Sequence, residues 1–182
     1  MKYVALLRGI NVGGNMIIKM SDLKAAVENL GFTNVRTYIQ SGNIIFESNE
    51  KDSCVVAAKL ENGLMKSLNY NSRIIVRTYQ QLKTTLTNVP ADWKKRQDMR
   101  CYIAFTKEPT TAEDVMGELE LKEGVDSAKA GEGVVYMSTL LSGLTKSGFT
   151  KLINKKVYKD ITIRNYNTCQ KLLALMESAG TS

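Results

Sequence analysis

The stretch VRTYIQSGNIIFE, Val35–Glu47, decides how this chain folds. Two short runs rich in β-branched and aromatic residues, Val35–Ile39 and Asn43–Glu47, flank Gln40-Ser41-Gly42-Asn43, whose small polar residues suit a tight turn. That is a β-hairpin. Ahead of it, Ser21 offers an N-cap for a helix in which Leu23, Ala26, Val27 and Leu30 form one apolar stripe, and Gly31 stands where a helix stops. Earlier still, residues 3–9 read as a strand with both alternating sets apolar, hence covered on both faces. Beyond the hairpin, Ala57, Leu60, Leu64 and Leu68 predict a helix over 53–68, and Arg73–Thr78 a fourth strand. A hairpin set between two strand–helix steps gives β-α-β-β-α-β, the ferredoxin-like split unit.

The order recurs. Thr78-x-x-Gln81 resembles a capping box that opens a short helix with Leu82 and Leu86 inward. A segment with Pro90 and the run Lys94-Lys95-Arg96 reads as a linker. Then come a strand over Met99–Thr106, a helix over Thr111–Leu121, a hairpin of Val125–Ala130 and Gly133–Thr139, a helix over Lys146–Lys156 and a short strand at Ile161–Ile163. A last helix starts at Asn167 or Thr168, with Asn167 as its cap and Cys169, Leu172, Leu173 and Met176 inward. The expected class is α+β: two tandem ferredoxin-like subdomains, 1–88 and 99–182, joined by a linker at 89–98, the second carrying a C-terminal helix.

Composition narrows the chemistry. The 182 residues are 43% hydrophobic, enough for a sizeable core. No apolar run approaches the roughly 18–20 residues of a membrane span, and the short apolar start ends at Arg8, so neither a membrane nor a signal peptide is expected and the reading is cytoplasmic. Cys54, Cys101 and Cys169 are odd in number and far apart, which predicts reduced core thiols and no metal site. There is no histidine. The usual general base and the commonest zinc ligand are therefore missing, and no catalytic residue is assigned.

The net charge is +7 and unevenly placed: Ser142–Ser182 has seven bases against two acids, whereas Glu108–Glu132 has eight acids against two bases. The basic region favours anionic partners, a small molecule or RNA, or serves as a solvated face. Glu118, Glu120, Glu123 and Asp126 read as a solvated face without convergent polar partners. Trp93 reads as a stacking surface or a packing anchor, and Tyr102 and Tyr136 as stacking platforms on middle strands.

In the split unit the first and second strands run parallel, so the loop leaving the first, Arg8–Asn15 (RGINVGGN), faces the Gln40–Asn43 turn. The expected ligand-binding residues are Arg8, Asn11, Gly13, Gly14, Asn15, Gln40, Ser41 and Asn43. Glycines let backbone N–H groups approach an anion, arginine forks onto phosphate or carboxylate, and amides read a base or sugar. The same residues also suit a turn, or a lock between subdomains. The loop matches neither the Walker phosphate loop nor the dinucleotide fingerprint. A second polar patch, Thr162–Thr168 (TIRNYNT), joins the last strand to the last helix. Arg164, Asn165 and Thr168 there are expected at an anion site on the helix N-terminus, the alternative being that Asn165, Asn167 or Thr168 serves as a cap.

Together YVALLRGINVGG at Tyr3–Gly14, LGFTNVRTYIQSGNIIF at Leu30–Phe46 and TIRNYNT at Thr162–Thr168 resemble the bacterial domain of unknown function 1697 family. The resemblance spans almost the whole chain. It implies an α+β fold of two ferredoxin-like subdomains, with Arg8, Gly9, Asn11, Gly13, Gly14, Ser41, Gly42, Asn43, Thr162, Arg164, Asn165 and Thr168 at signature positions. Asn15-Met16 and Tyr166 depart from the family pattern. No activity or cofactor follows from it. Three readings stay open: a binding protein for an anionic, nucleotide-like or RNA ligand; an enzyme on a small phosphorylated or nucleotide substrate; and a non-catalytic module whose polar motifs lock the subdomains.

Overall fold

A computed structural model describes residues 1–11 and 17–178. The fold is α+β, with two four-stranded sheets in which every strand pair is antiparallel. Contacts divide the chain into two compact units, Met1–Lys83 with Lys171–Ser182, and Thr84–Gln170. Among the described residues no helix is long and apolar enough to cross a membrane.

The first unit runs β1 (Lys2–Leu7), α1 (Met20–Asn29), β2 (Thr33–Tyr38), β3 (Asn43–Glu47), α2 (Ser53–Leu68), β4 (Ile74–Thr78) and the start of α3 (Tyr79–Thr87). Its sheet order is β2-β3-β1-β4. Alternation along the strands turns Tyr3, Ala5, Leu7, Ile44, Phe46, Ile74 and Val76 to one core, where they meet Leu23, Ala26 and Val27 of α1 and Val56, Leu60 and Leu64 of α2. Each large side chain so buried contributes roughly 1.5–3 kcal/mol against an exposed one. The alternate set, Val4, Leu6, Ile45 and Ile75, is buried too.

Local signals decide the ends of these elements. Asp52 caps α2 by accepting from Cys54 N at 2.7 Å. Thr78 and Gln81 form the reciprocal pair that opens α3: Gln81 N donates to Thr78 Oγ1 (3.1 Å) and Thr78 N to Gln81 Oε1 (2.8 Å). Ser21 does not cap α1. The helix starts one residue earlier, at Met20, and the Ser21 hydroxyl donates to Asp22. Ile39, expected inside the second strand, has φ +49° and opens the turn instead. Cys54 is exposed on α2, Cys101 is half-buried and only Cys169 is fully buried; all three are free thiols.

The second unit runs from the end of α3 through β5 (Met99–Thr106), α4 (Ala112–Glu118), β6 (Asp126–Gly131), β7 (Val134–Leu140) and β8 (Ile161–Asn165) into the start of α5 (Tyr166–Ser178). Its sheet order is β6-β7-β5-β8. Ala104, Val135, Met137 and Ile161 pack with Ala112 and Val115 of α4 and with Leu152. No long α-helix spans 146–156. Three 3-10 segments occupy 141–146, 148–154 and 156–160. Gly143 and Gly148 explain this. A Cβ on Gly143 would stand 2.6 Å from Val125 Cγ1, and one on Gly148 would collide with the Glu120 carbonyl. The chain is held down on the α4–β6 connection at both glycines, closer than a continuous helix of ordinary residues permits.

The acidic stretch has partners after all. Lys151 Nζ and Lys155 Nζ lie 2.6 and 2.9 Å from the Glu120 carboxylate, and Asp126 Oδ2 accepts from Lys122 N and Gly148 N. Hydrogen bonds from Lys151 and Lys155 hold the Glu120 carboxyl at about 2, below its ordinary 4.5. A depressed carboxylate stabilises the fold above its unfolded pKa, and that contribution disappears as pH falls from about 4.5 towards 2. The pair is exposed, so its contribution is small and screened by salt. An NMR carboxyl titration should find Glu120 still charged at pH 3.5, and Lys151→Ala should move its midpoint upward.

Candidate ligand-binding site

The two loops of the first unit meet. Asn11 Nδ2 donates to Gln40 O and to Ile18 O, each at 3.0 Å, and Asn11 Oδ1 accepts from Ile18 N at 2.8 Å. Leu7 N donates to Gly42 O at 2.8 Å. These bonds bring Asn11 and Gln40 together and engage the Asn11 side-chain amide with loop backbone. Asn43 is fully buried, and its Nδ2 donates to Tyr38 O and Ser41 Oγ. Ser41 and Asn43 thereby hold their own hairpin turn. Gly13, Gly14 and Asn15 lie outside the described residues.

Arg8 is fixed by a residue that sequence reasoning missed. The hydroxyl of the fully buried Tyr70 accepts from Arg8 N (2.8 Å) and donates to Arg8 O (2.7 Å). Periodicity marks a buried tyrosine at the end of a helix as ordinary core; nothing local shows that its hydroxyl reaches a loop 62 residues away. Tyr70→Phe retains the ring and removes both bonds. It should lower stability by about 2 kcal/mol in urea denaturation, the scale of leaving two backbone groups without their partner.

The Thr162–Thr168 residues belong to the second unit and separate in role. Arg164 is buried, with Nη1 donating to Thr162 Oγ1 (2.8 Å) and Ile163 O (3.0 Å). Burial pushes the neighbouring Cys169 thiol up to about 12, against the opposite pull of the Arg164 charge. Asn165, not Asn167, caps α5: its Oδ1 accepts from Asn167 N at 2.9 Å, and the helix starts at Tyr166. Thr168 is half-buried within the first turn of α5.

Beside this segment lies a cleft of about 610 Å³. Its origin is a mismatch of strand lengths. β5 pairs with β7 from Met99 onward but with β8 only from Tyr102, because β8 ends at Asn165 and the chain turns into α5. Met99, Arg100 and Cys101 therefore have no strand partner on the β8 side. Side chains from both faces of β5 line the cleft, Met99 and Cys101 from one and Arg100 from the other, which places it along that unpaired edge. The segment expected as a linker forms the opposite wall. It carries a 3-10 turn at Ala91–Lys94 whose Trp93 packs edge-on to Tyr136 (5.9 Å) and Tyr166 (5.3 Å). Trp93 is thus a packing anchor, and Tyr136 is buried with its hydroxyl donating to Thr85 O. Tyr102 packs against the second core.

The lining is cationic and amide-rich. Lys94, Arg96 and Arg100 supply charge, and Gln97, Asn165, Asn167 and Gln170 supply amides. Arg96 is engaged in a two-point bond to Asp98 (2.8 and 2.6 Å). Among the described residues Lys94 and Arg100 form no ion pair. Burial, with a lesser push from Asp92, raises the Cys101 thiol to about 11, so the thiol adds no charge to the cleft at physiological pH. Of the expected ligand residues that are described, only Asn165 lines the cleft. The Lys94-Lys95-Arg96 run was the one visible signal for the rest. Among the described residues no three Cys, Asp or Glu side chains gather to hold a metal ion.

A solved structure of a conserved bacterial protein from Streptococcus pneumoniae is similar to this chain, with a TM-score of 0.81 and 29% identity over 96% of this chain and 98% of that one. No curated protein matches the chain. The match to the family described as "Protein of unknown function (DUF1697)" covers residues 1–136, so it takes in both loops of the first unit and stops before Thr162–Thr168; on that match the chain belongs to this family.

Proposed function

We propose that this chain is a binding protein for an anionic, nucleotide-like ligand, and that the cleft at the unpaired edge of β5 is its site. One observation carries the reading: Lys94 and Arg100, neither in an ion pair among the described residues, line a cleft that also carries four side-chain amides. Cations attract the phosphate, and amides supply the donors and acceptors that a base or sugar needs. The loop edge of the first unit we read as an internal lock, because the Asn11 amide is bonded on both its atoms to loop backbone.

We read both units as ferredoxin-like. The support is the strand order, with β1 and β3 central between β2 and β4 in the first sheet, and β5 and β7 central between β6 and β8 in the second. Three free thiols support a cytoplasmic setting.

Calorimetric titration with adenosine monophosphate tests the function. Arg100→Ala should weaken binding by about tenfold or more while leaving the melting temperature within about 1 °C, since Arg100 is exposed. Equal affinity in the wild type and the variant would reject the cleft as the site.

A further inference from the structure

Resting on that reading of the cleft, we infer that its ligand is a single small molecule bearing one or two phosphate groups on a polar body, and not a nucleic-acid strand. Three features of the second unit separate these classes.

The first is the aromatic rings. Sequence-tolerant strand binding stacks successive bases on exposed rings. Here Trp93 is 5% exposed, Tyr166 8% and Tyr136 3%. Trp93 packs edge-on against both tyrosines, with centroids 5.9 Å from Tyr136 and 5.3 Å from Tyr166. They form a wall and offer no open ring to a base.

The second is the count of cations. A strand that tracks a groove is held by a cation at each of many phosphates. The cleft has Lys94 and Arg100, with Arg96 already matched by Asp98. Two charges suit one or two phosphate groups. Asp92 and Asp98 on the same segment limit how far a positive field extends beyond them.

The third is shape and chemistry. About 610 Å³ falls inside the roughly 300–1,000 Å³ of small-molecule sites. The site is an indentation where one strand outruns its neighbour, closed by the turn into α5. Asn167 and Gln170 on α5 provide amides for the body of the ligand. Gln170 Nε2 is anchored on the Tyr166 hydroxyl at 3.1 Å, which orients its side chain and leaves the amide oxygen as an acceptor.

The test titrates the full chain with inorganic phosphate, adenosine monophosphate and a twelve-nucleotide oligouridylate, and follows alkylation of Cys101 near pH 9 by mass spectrometry. The monophosphate should bind at least tenfold more tightly than phosphate and slow Cys101 modification, while exposed Cys54 reacts unchanged. Arg100→Glu should abolish binding of both small ligands. Asn167→Ala should weaken the monophosphate about tenfold and leave phosphate unaffected. The logarithm of its affinity should fall with that of salt by a slope near that of one or two contacts. Tighter binding of the oligonucleotide than of the monophosphate, with a steeper salt slope and loss in Arg100→Glu, overturns the small-molecule inference and leaves the anion site standing. Equal affinity for phosphate and monophosphate also overturns it, since the body would then be unread. If no probe protects Cys101 and Arg100→Glu changes no affinity, the cleft itself is not the site and the proposed function fails with it.

Discussion

Gly42→Ala should cost about 3 kcal/mol or more, lowering the melting temperature by about 10 °C. Two separate penalties combine. Gly42 has φ +70°, a conformation that costs an L-residue roughly 1–2 kcal/mol. Its missing Cβ also points at the loop that leaves β1: a methyl there would collide with Ile10 Cγ2 and come 2.8 Å from Leu7 Cβ. Ile10 and Leu7 are both 1% exposed and cannot move into solvent without opening the core. Differential scanning calorimetry of the variant measures the loss. An unchanged melting temperature would mean that the two loops do not cross at this point.

Gly148→Ala should have an effect of similar size, about 3 kcal/mol, for a different reason. Its φ is ordinary, so only space is at issue. A Cβ would lie against the Glu120 carbonyl oxygen, with the carbonyl carbon at 2.8 Å. Backbone yields less than a side chain tip, so the 3-10 segment over 148–154 would have to lift. Lifting it also breaks the bond from Gly148 N to Asp126 Oδ2 at 2.8 Å. Guanidinium denaturation gives the stability change. Hydrogen exchange should place the lost protection at Gly148–Asn154 and Lys122–Asp126. A change below about 1 kcal/mol would contradict the close approach.

Much of the architecture was legible in the residues. β3, α2 and β5 start and end where alternation, apolar stripes and caps put them, because burial of one face fixes the phase of a strand or helix. The meeting of Asn11 with Gln40 also followed from topology alone: once β1 and β2 point the same way, their outgoing loops share an edge. Local pattern misleads where an element depends on a partner distant in sequence. The stretch 146–156 has helix-forming lysines and a leucine, yet Gly148 within it is pinned by Glu120 and Gly143 just before it by Val125, and contact overrode propensity. The acids at 118–126 look solvated in sequence, but Lys151 and Lys155 reach Glu120 from 31 and 35 residues away.

The candidate site was less legible than the fold. RGINVGGN and QSGN drew attention by composition, and the described part of that edge is occupied with bonding its own loops. Lys94 gave only a charge signal within the expected linker, and Arg100 sat in the expected strand Met99–Thr106 with nothing to single it out. No local pattern states that β5 runs three residues past the end of β8, since strand pairing is settled by both strands and the turn into α5.

The sequence by itself therefore determined the α+β class, the repeated order of strands and the polar loop edge, since periodicity and turn chemistry act through near neighbours. Tertiary structure alone decided the cleft, the Tyr70 clamp on Arg8 and the requirement for Gly42 and Gly148. Each depends on which atoms from remote segments share one space, and no short stretch of residues encodes that.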